Sequence, residues 1–131
     1  MQTFLPVPDF QETARILDWR RLGKQRVEAI QILLSIERTT RWSNHPAVKM
    51  WVGYEAALSA YANAIIAEWV ARGYRNNMGM VEHGPIFLPS WLGDDAFHAS
   101  HRSNLLRKDQ EYYGQFGWKE GPDLPYFWPS K

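Results

Sequence analysis

Apolar residues recur at the three- and four-residue spacing of an α-helix in several stretches, whereas no stretch of convincing length alternates apolar and polar residues as a strand does. The pattern predicts helices over residues 10–18, 24–36, 46–72 and 94–107. Gly23 is expected to separate the first helix from the second. The expected fold is therefore all-α, a compact single domain of residues 1–131 with a long central helix, irregular loops and an aromatic C-terminal tail.

The third stretch carries the widest apolar arc and is expected to cross the centre of the fold. Pro46 suits the first turn of this helix, with Ser43 or Asn44 as its N-cap, and Gly73 ends it after a bend at Gly53. Its expected core residues are Trp51, Leu58, Ile65 and Trp69.

The remaining segments are rich in Pro, Gly and aromatic residues. Two prolines within residues 1–8 predict an extended lead-in, and residues 73–93 read as a long loop. Asp109 is expected to cap a short helical turn that ends at Tyr113. Seven large aromatic side chains occur in residues 112–129, so this tail is expected to pack back on the helices.

Composition narrows the class of protein. The chain contains no Cys, which excludes a disulfide scaffold, a thiolate zinc site and a cysteine nucleophile. No apolar run approaches the ~18 residues of a membrane span, and no secretion signal is visible, so a cytoplasmic protein is expected. Neither a metal nor another cofactor is predicted, and no obligate protein partner is evident.

Positive charge is concentrated in one segment, although the whole chain carries a net charge of only +1. Residues 14–49 contain eight Lys and Arg against three Asp and Glu, a local net charge of +5. Because phosphate contacts need clustered cations, this segment is the expected surface for double-stranded DNA. The alternative is an ordinary solvated helix face.

Glu28 is the main candidate for chemistry in this segment. Lys24 and Arg21 precede it by four and seven residues, which places the three side chains on one helix face. A carboxylate among cations keeps its charge and can act as a base or stabilise a developing cation. The alternative is an ordinary surface salt bridge between Lys24 and Glu28.

Histidines supply the remaining candidates. His98, His101 and Arg102 form a stripe at helical spacing that lacks the carboxylate needed to complete a metal site. Phosphate contact and internal hydrogen bonding are both open for this stripe. His45, in the turn before the long helix, is either a proton carrier or a bridge between backbone groups.

Three segments carry a family resemblance: RLGKQRVEA at 21–29, RWSNHP at 41–46, and FHASHRSNLLRK at 97–108, followed by YYG at 112–114. Together they resemble the pyrimidine-dimer DNA glycosylases of the phage endonuclease V type, and more closely the small bacterial proteins grouped with them. The resemblance implies an all-α protein whose N-terminal α-amine attacks the sugar C1′ of a damaged nucleotide and forms a Schiff base. It also implies DNA bending, base flipping and an assisting helix glutamate, which Glu28 matches best.

Several nucleophiles stay open, because residue 2 is the bulky Gln and not the small residue that supplies the amine in the phage enzyme. A bulky second residue usually leaves the initiator Met in place. The candidates are the α-amine of Met1, the α-amine of Gln2 after processing, and the side chain of Lys24. A fourth possibility is that no Schiff base forms.

The resulting hypothesis is a DNA-repair glycosylase, with or without abasic-site lyase activity. The expected catalytic residues are Met1, Lys24, Glu28 and His45. The expected DNA-binding residues are Arg20, Arg21, Arg26, His98, His101 and Arg102. The N-terminal amine, Glu28, His45 and the stripe on the later helix are expected around one cleft. The alternatives are hydrolysis of the N-glycosidic bond of a free or modified nucleotide, and a nucleic-acid-binding module without catalysis.

Overall fold

Helices account for all regular secondary structure in residues 1–129, the part of the chain that the computed structural model describes. The helices are α1 (Phe10–Ile16), α2 (Trp19–Glu37), α3 (Pro46–Lys49), α4 (Glu55–Ala71), α5 (Asp95–Lys108) and α6 (Gln110–Tyr113), the last continued by a 3-10 turn (Gly114–Phe116). The absence of strands from these residues confirms the all-α prediction. Over the same range, none of the helices combines the length and the apolar character needed to cross a lipid bilayer.

The α2 helix runs through Gly23 without a break. A Cβ atom on Gly23 would lie 2.9 Å from the Trp69 ring, so this glycine permits close packing of α2 against α4. The chain instead leaves the helical conformation at Leu17 and Asp18, which both have extended backbone angles. The predicted interruption at Gly23 is therefore wrong, because the pattern along the chain does not reveal a distant helix contact.

The long helix predicted over residues 46–72 is divided into α3 and α4. Residues 50–54 form successive turns between α3 and α4, and Gly53 has a φ of 89°, a left-handed conformation that is incompatible with one continuous helix. These turns direct Trp51 into the core, where its ring lies 6.2 Å from that of Tyr61. The structure thus replaces one central helix by a short helix, a turn and the 17-residue α4.

Three of the four core residues predicted for this region are fully buried: Trp51, Leu58 and Ile65. Trp69 is only half-buried. Its indole N–H donates to the Arg75 carbonyl at 2.8 Å, and the Arg26 guanidinium lies 4.9 Å from its ring centroid. The prediction of Trp69 as a core residue is wrong, because this side chain covers the edge of the contact between α2 and α4.

The C-terminal half follows the predictions more closely. Asp94 and Asp109 cap α5 and α6 by accepting backbone N–H groups, and an irregular connection precedes α5. At the end of α6, the buried Tyr113 ring stacks on Trp118 at 5.7 Å, and further tail aromatics pack against the core. The aromatic tail therefore packs back on the helices, as predicted.

The extended lead-in is also confirmed, and it lies inside the fold. Residues 2–6 are all buried although they form no regular element. Their backbone is bonded to side chains of α2, α4 and α5, including Gln25, Tyr61 and His101. The segment brings the N-terminus to the surface of α2 beside Glu28.

Candidate active-site cleft

A cleft of about 400 Å³ lies beside the first half of α2. Six residues that the sequence proposed for function line it: Met1, Arg20, Arg21, Lys24, Glu28 and His45. Glu28 and Lys24 also border a neighbouring cavity of about 250 Å³ that includes Trp42. The structure thus brings the N-terminus, the α2 face and the turn before α3 to one place.

Glu28 is held at the cleft by two contacts. Its Oε2 accepts the backbone N–H of Gln2 at 3.0 Å, and its Oε1 lies 3.7 Å from Lys24 Nζ. The Glu28 side chain is 11% exposed, whereas that of Lys24 is 75% exposed. The pair is therefore asymmetric: the carboxylate is fixed and largely buried, and the ammonium group is solvated.

The α-amine of Met1 lies within reach of the same carboxylate. Successive backbone nitrogens are at most about 3.7 Å apart, and the Gln2 nitrogen is 3.0 Å from Glu28 Oε2. The amine therefore lies no more than roughly 7 Å from this oxygen. A single bound sugar is large enough to contact both groups.

His45 belongs to the same electrostatic environment. Burial is the main reason why its pKa is lowered, the positive N-terminal amine lowers it further, and Glu28 opposes both effects. Its Nδ1 accepts the N–H of Ala47 at 3.0 Å, so His45 caps α3 in place of the predicted Ser43 or Asn44. With Nδ1 engaged as an acceptor, the neutral imidazole carries its proton on Nε2.

Arg20 and Arg21 form a ridge between this cleft and a second cleft of about 600 Å³. Arg21 donates to Asp18 at 3.0 Å, and the Arg20 guanidinium lies 5.3 Å from the ring centroid of Trp19, which is 54% exposed. Lys108 lines both clefts with them. The ridge presents three cations side by side to a ligand that spans the two clefts.

Two predicted DNA-binding arginines lie elsewhere. Arg26 donates to the Asn76 side chain at 2.7 Å and packs on Trp69. Arg102 makes two 2.9 Å hydrogen bonds to the Glu120 carboxylate and one to the Pro6 carbonyl. Neither lines the cleft, because each guanidinium is committed to a partner distant in the sequence.

His98 and His101 are interior residues, 2% and 0% exposed. The Leu5 N–H donates to His101 Nδ1 at 3.0 Å, and His98 Nδ1 lies 2.7 Å from the Leu5 carbonyl oxygen. Burial lowers the pKa of both imidazoles, that of His101 to about 3. The prediction that this stripe lines the cleft is wrong, and internal hydrogen bonding is the alternative that the structure supports.

Sequence reasoning missed four residues of the cleft wall: Phe4 in the lead-in, and Lys108, Tyr126 and Trp128 in the C-terminal third. The Tyr126 and Trp128 rings are 5.6 Å apart, and Trp128 contacts the edge of His45 at 5.8 Å. Their aromatic character predicted packing against the helices but did not indicate which face they would cover.

The described residues thus form an all-α protein with a cation-rimmed cleft where a buried glutamate faces an N-terminal amine, an arrangement suited to a nucleic-acid enzyme. The family model described as pyrimidine dimer DNA glycosylase matches residues 1–81 of the 131-residue chain, and the chain belongs to this family. No curated protein and no solved structure gives a significant match. The matched part contains Glu28 and His45, whereas the tail aromatics lie beyond it.

Proposed function

We propose that the protein is a DNA-repair glycosylase that excises a damaged pyrimidine from duplex DNA through the cleft beside α2. The observation that carries this proposal is the position of Glu28, buried beside the N-terminus in a cleft rimmed by cations. The family supplies the class of substrate. The geometry supplies groups that could carry out the reaction.

In the proposed reaction the neutral α-amine of Met1 attacks the sugar C1′. The bond between C1′ and the base nitrogen breaks, and the base leaves with the electron pair. The amine nitrogen gives up a proton to the Glu28 carboxylate, which also stabilises the positive charge that develops on the sugar. The C1′–O4′ bond then breaks as the nitrogen lone pair forms the C1′=N Schiff base, and O4′ takes up the proton held by Glu28. Loss of a C2′ proton and the 3′ phosphate from this Schiff base would constitute the lyase step.

His45 serves this scheme better as a hydrogen-bond donor than as a base. Its Nδ1 lone pair is occupied by the Ala47 N–H, and Nε2 already carries a proton in the neutral imidazole. A further proton could bind only if the α3 cap were lost. We therefore assign proton acceptance to Glu28. His45 is assigned a hydrogen bond from its Nε2–H to the departing base or the opening ring oxygen, without transfer of that proton.

An α-amine is favoured over Lys24 as the nucleophile. In general, α-amines titrate two to three pH units below lysine side chains, so a much larger fraction is neutral near pH 7. Removal of Met1 would convert the Gln2 nitrogen, 3.0 Å from Glu28, into the α-amine. Intact mass, which reports whether Met1 is present, separates these two forms of the same mechanism.

DNA binding is assigned to the ridge and the aromatic wall of the cleft. Arg20, Arg21 and Lys108 can contact successive phosphates, because they border two adjoining clefts. Tyr126 and Trp128 offer ring faces and edges on which a base could stack after leaving the duplex.

The test is borohydride trapping on ultraviolet-irradiated and abasic duplexes, followed by peptide mapping of the adduct. We expect a covalent adduct on the N-terminal peptide of the wild-type protein and loss of base release in Glu28→Gln. Glu37→Gln, on the exposed end of the same helix, is the matched control.

Three other outcomes would each replace this proposal. An adduct on the peptide containing Lys24 would move the nucleophile to that side chain. Salt-sensitive binding without base release or adduct would indicate a non-catalytic binding module. Base release from free nucleotides but not from duplexes would indicate the nucleotide hydrolase.

A further inference from the structure

The N-terminal segment is bonded almost entirely to side chains. The N–H groups of residues 2–5 donate to side-chain acceptors, and the carbonyls of residues 2, 4, 5 and 6 accept from side-chain donors. None of these groups bonds another backbone group within residues 1–129. Side chains therefore satisfy the backbone hydrogen-bonding groups of this segment, as a neighbouring strand does in a sheet.

His98 and His101 hold both backbone groups of a single residue. His101 accepts the Leu5 N–H through Nδ1, so its proton is on Nε2. His98 donates from Nδ1 to the Leu5 carbonyl, and its Nε2 accepts the Gly93 N–H at 2.9 Å. The two imidazoles thus require opposite tautomers, and both must be neutral.

Gln25 connects this pair of contacts to the N-terminus. Its Oε1 accepts the Phe4 N–H at 3.0 Å, and its Nε2 donates to the Gln2 carbonyl at 2.8 Å. Glu28 then accepts the Gln2 N–H at 3.0 Å. Each residue from Gln2 to Leu5 is therefore held by at least one hydrogen bond between its backbone and a buried side chain.

We propose that His98 and His101 are positioning residues that set the register of residues 2–5 and, through it, the distance between the α-amine and Glu28. The inference rests on the proposed function, because that distance matters only if the amine reacts. A slip of one residue would move the amine by about 3.3 Å. A misplacement of only about 1 Å can reduce a rate by about a hundredfold.

The first test needs no DNA, because it measures hydrogen exchange at the backbone amides of Gln2 and Leu5 by NMR. His101→Leu removes the acceptor, whereas His101→Asn keeps an acceptor near the position of Nδ1. We expect both amides to exchange at least about tenfold faster in the leucine variant, and both to stay protected in the asparagine variant. Loss of protection at Leu5 alone would overturn the proposal.

The second test measures the rate of borohydride adduct formation and the DNA dissociation constant in the same variants. We expect the adduct to form at least about tenfold more slowly in His101→Leu, with recovery to within about threefold in His101→Asn. The dissociation constant should stay within about twofold of wild type. An adduct formed at the wild-type rate by a folded His101→Leu protein would contradict the inference.

If His101→Leu does not fold, a second glutamine inserted between Met1 and Gln2 provides the decisive variant, because a bulky residue after Met1 leaves the initiator Met in place. It leaves the contacts of residues 2–5 in place and moves the amine by up to about 3.6 Å. We expect slower adduct formation with Gln2 still protected, and an unchanged rate would refute the register mechanism. If wild-type protein forms no adduct on any DNA, the proposed function fails, while hydrogen exchange still decides whether the histidines set the register.

Discussion

Two helix faces in this protein carry polar residues beside an apolar stripe, and they have opposite environments. On α2, Lys24 is solvated and Glu28 borders a cleft. On α5, His98 and His101 are buried against the main chain of Leu5. The N-terminal segment packs over α5 through Leu5, whereas it contacts α2 beside Glu28 without covering Lys24. A polar helix face thus borders a cleft where the segment leaves it uncovered, and holds the main chain where the segment packs over it.

The largest expected difference between the two faces is in turnover. Glu28→Gln should reduce base release by about 10²- to 10⁴-fold, because the amide cannot accept a proton from the attacking amine. The amide oxygen can still accept the Gln2 N–H, so the free energy of unfolding should change little. Single-turnover kinetics and urea unfolding of the same preparation measure both quantities. Equal losses of activity and stability would instead make Glu28 a structural residue.

A fall in pH should destabilise the protein mainly through the buried histidine face of α5. Burial, followed by repulsion from His98 when acid protonates that ring, lowers the pKa of His101 from 6.5 to about 3, and Tyr126 covers the His101 ring from the tail. The unfolded chain therefore binds a proton below pH 6.5 that the folded protein does not bind until about pH 3. The free energy of unfolding should fall by about 1.4 kcal/mol per pH unit in this window, at most roughly 4 to 5 kcal/mol.

The control for acid unfolding is His101→Asn, which keeps an acceptor but cannot titrate. Urea midpoints measured between pH 7 and pH 4 should fall less steeply in this variant than in wild type. Carboxylates titrate in both proteins, so their contribution cancels in the comparison. Parallel curves would mean that His101 is already accessible to protons in the folded state.

Arg102 should contribute to stability and not to DNA binding. Arg102→Met removes the paired hydrogen bonds to Glu120 and the bond to the Pro6 carbonyl, at a cost of about 1 to 3 kcal/mol. The salt dependence of DNA binding should remain that of wild type. A flatter salt dependence in Arg102→Met would mean that Arg102 contacts DNA phosphates.

The smallest expected effect is on the salt dependence of DNA binding, when cations on the α2 face beside the cleft are replaced. Replacing Arg20 and Lys24 by Gln should reduce the slope of log K against log salt by about one unit for each lost phosphate contact. The unfolding free energy should be almost unchanged, because Lys24 is largely solvated. Lys49→Gln, in the same basic segment but outside the cleft, is the control. An unchanged slope in the double variant would remove the α2 face from the interface.

Local signals predicted those parts of the fold that depend on neighbours in sequence. Asp94 and Asp109 indicate where α5 and α6 begin, because a capping side chain bonds backbone N–H groups only two or three residues further along the chain. The α2 face was likewise predictable, because helical spacing alone places Lys24 and Glu28 together.

The errors share a cause, since each depends on a contact distant in sequence. Gly23 resembles a helix end until Trp69 is seen to lie against it. Arg26 likewise has a partner that helical spacing does not reveal, because its guanidinium donates to Asn76, 50 residues away. The turns at 50–54 also place Trp51 in the core, where its indole N–H donates to the Thr3 hydroxyl, 48 residues away. Periodicity contains no information about such partners.

The buried lead-in also has a consequence for biosynthesis. Leu5 leaves the ribosome 93 and 96 residues ahead of the two histidines that hold it, so its main-chain groups must remain hydrated until synthesis is nearly complete. Closing so long a loop makes docking of this segment a late, non-local step of folding. Gln2 is only 7% exposed once docked. An aminopeptidase therefore reaches the bond between Met1 and Gln2 mainly on the nascent chain, so the residue that supplies the proposed nucleophilic α-amine is fixed before the protein has folded.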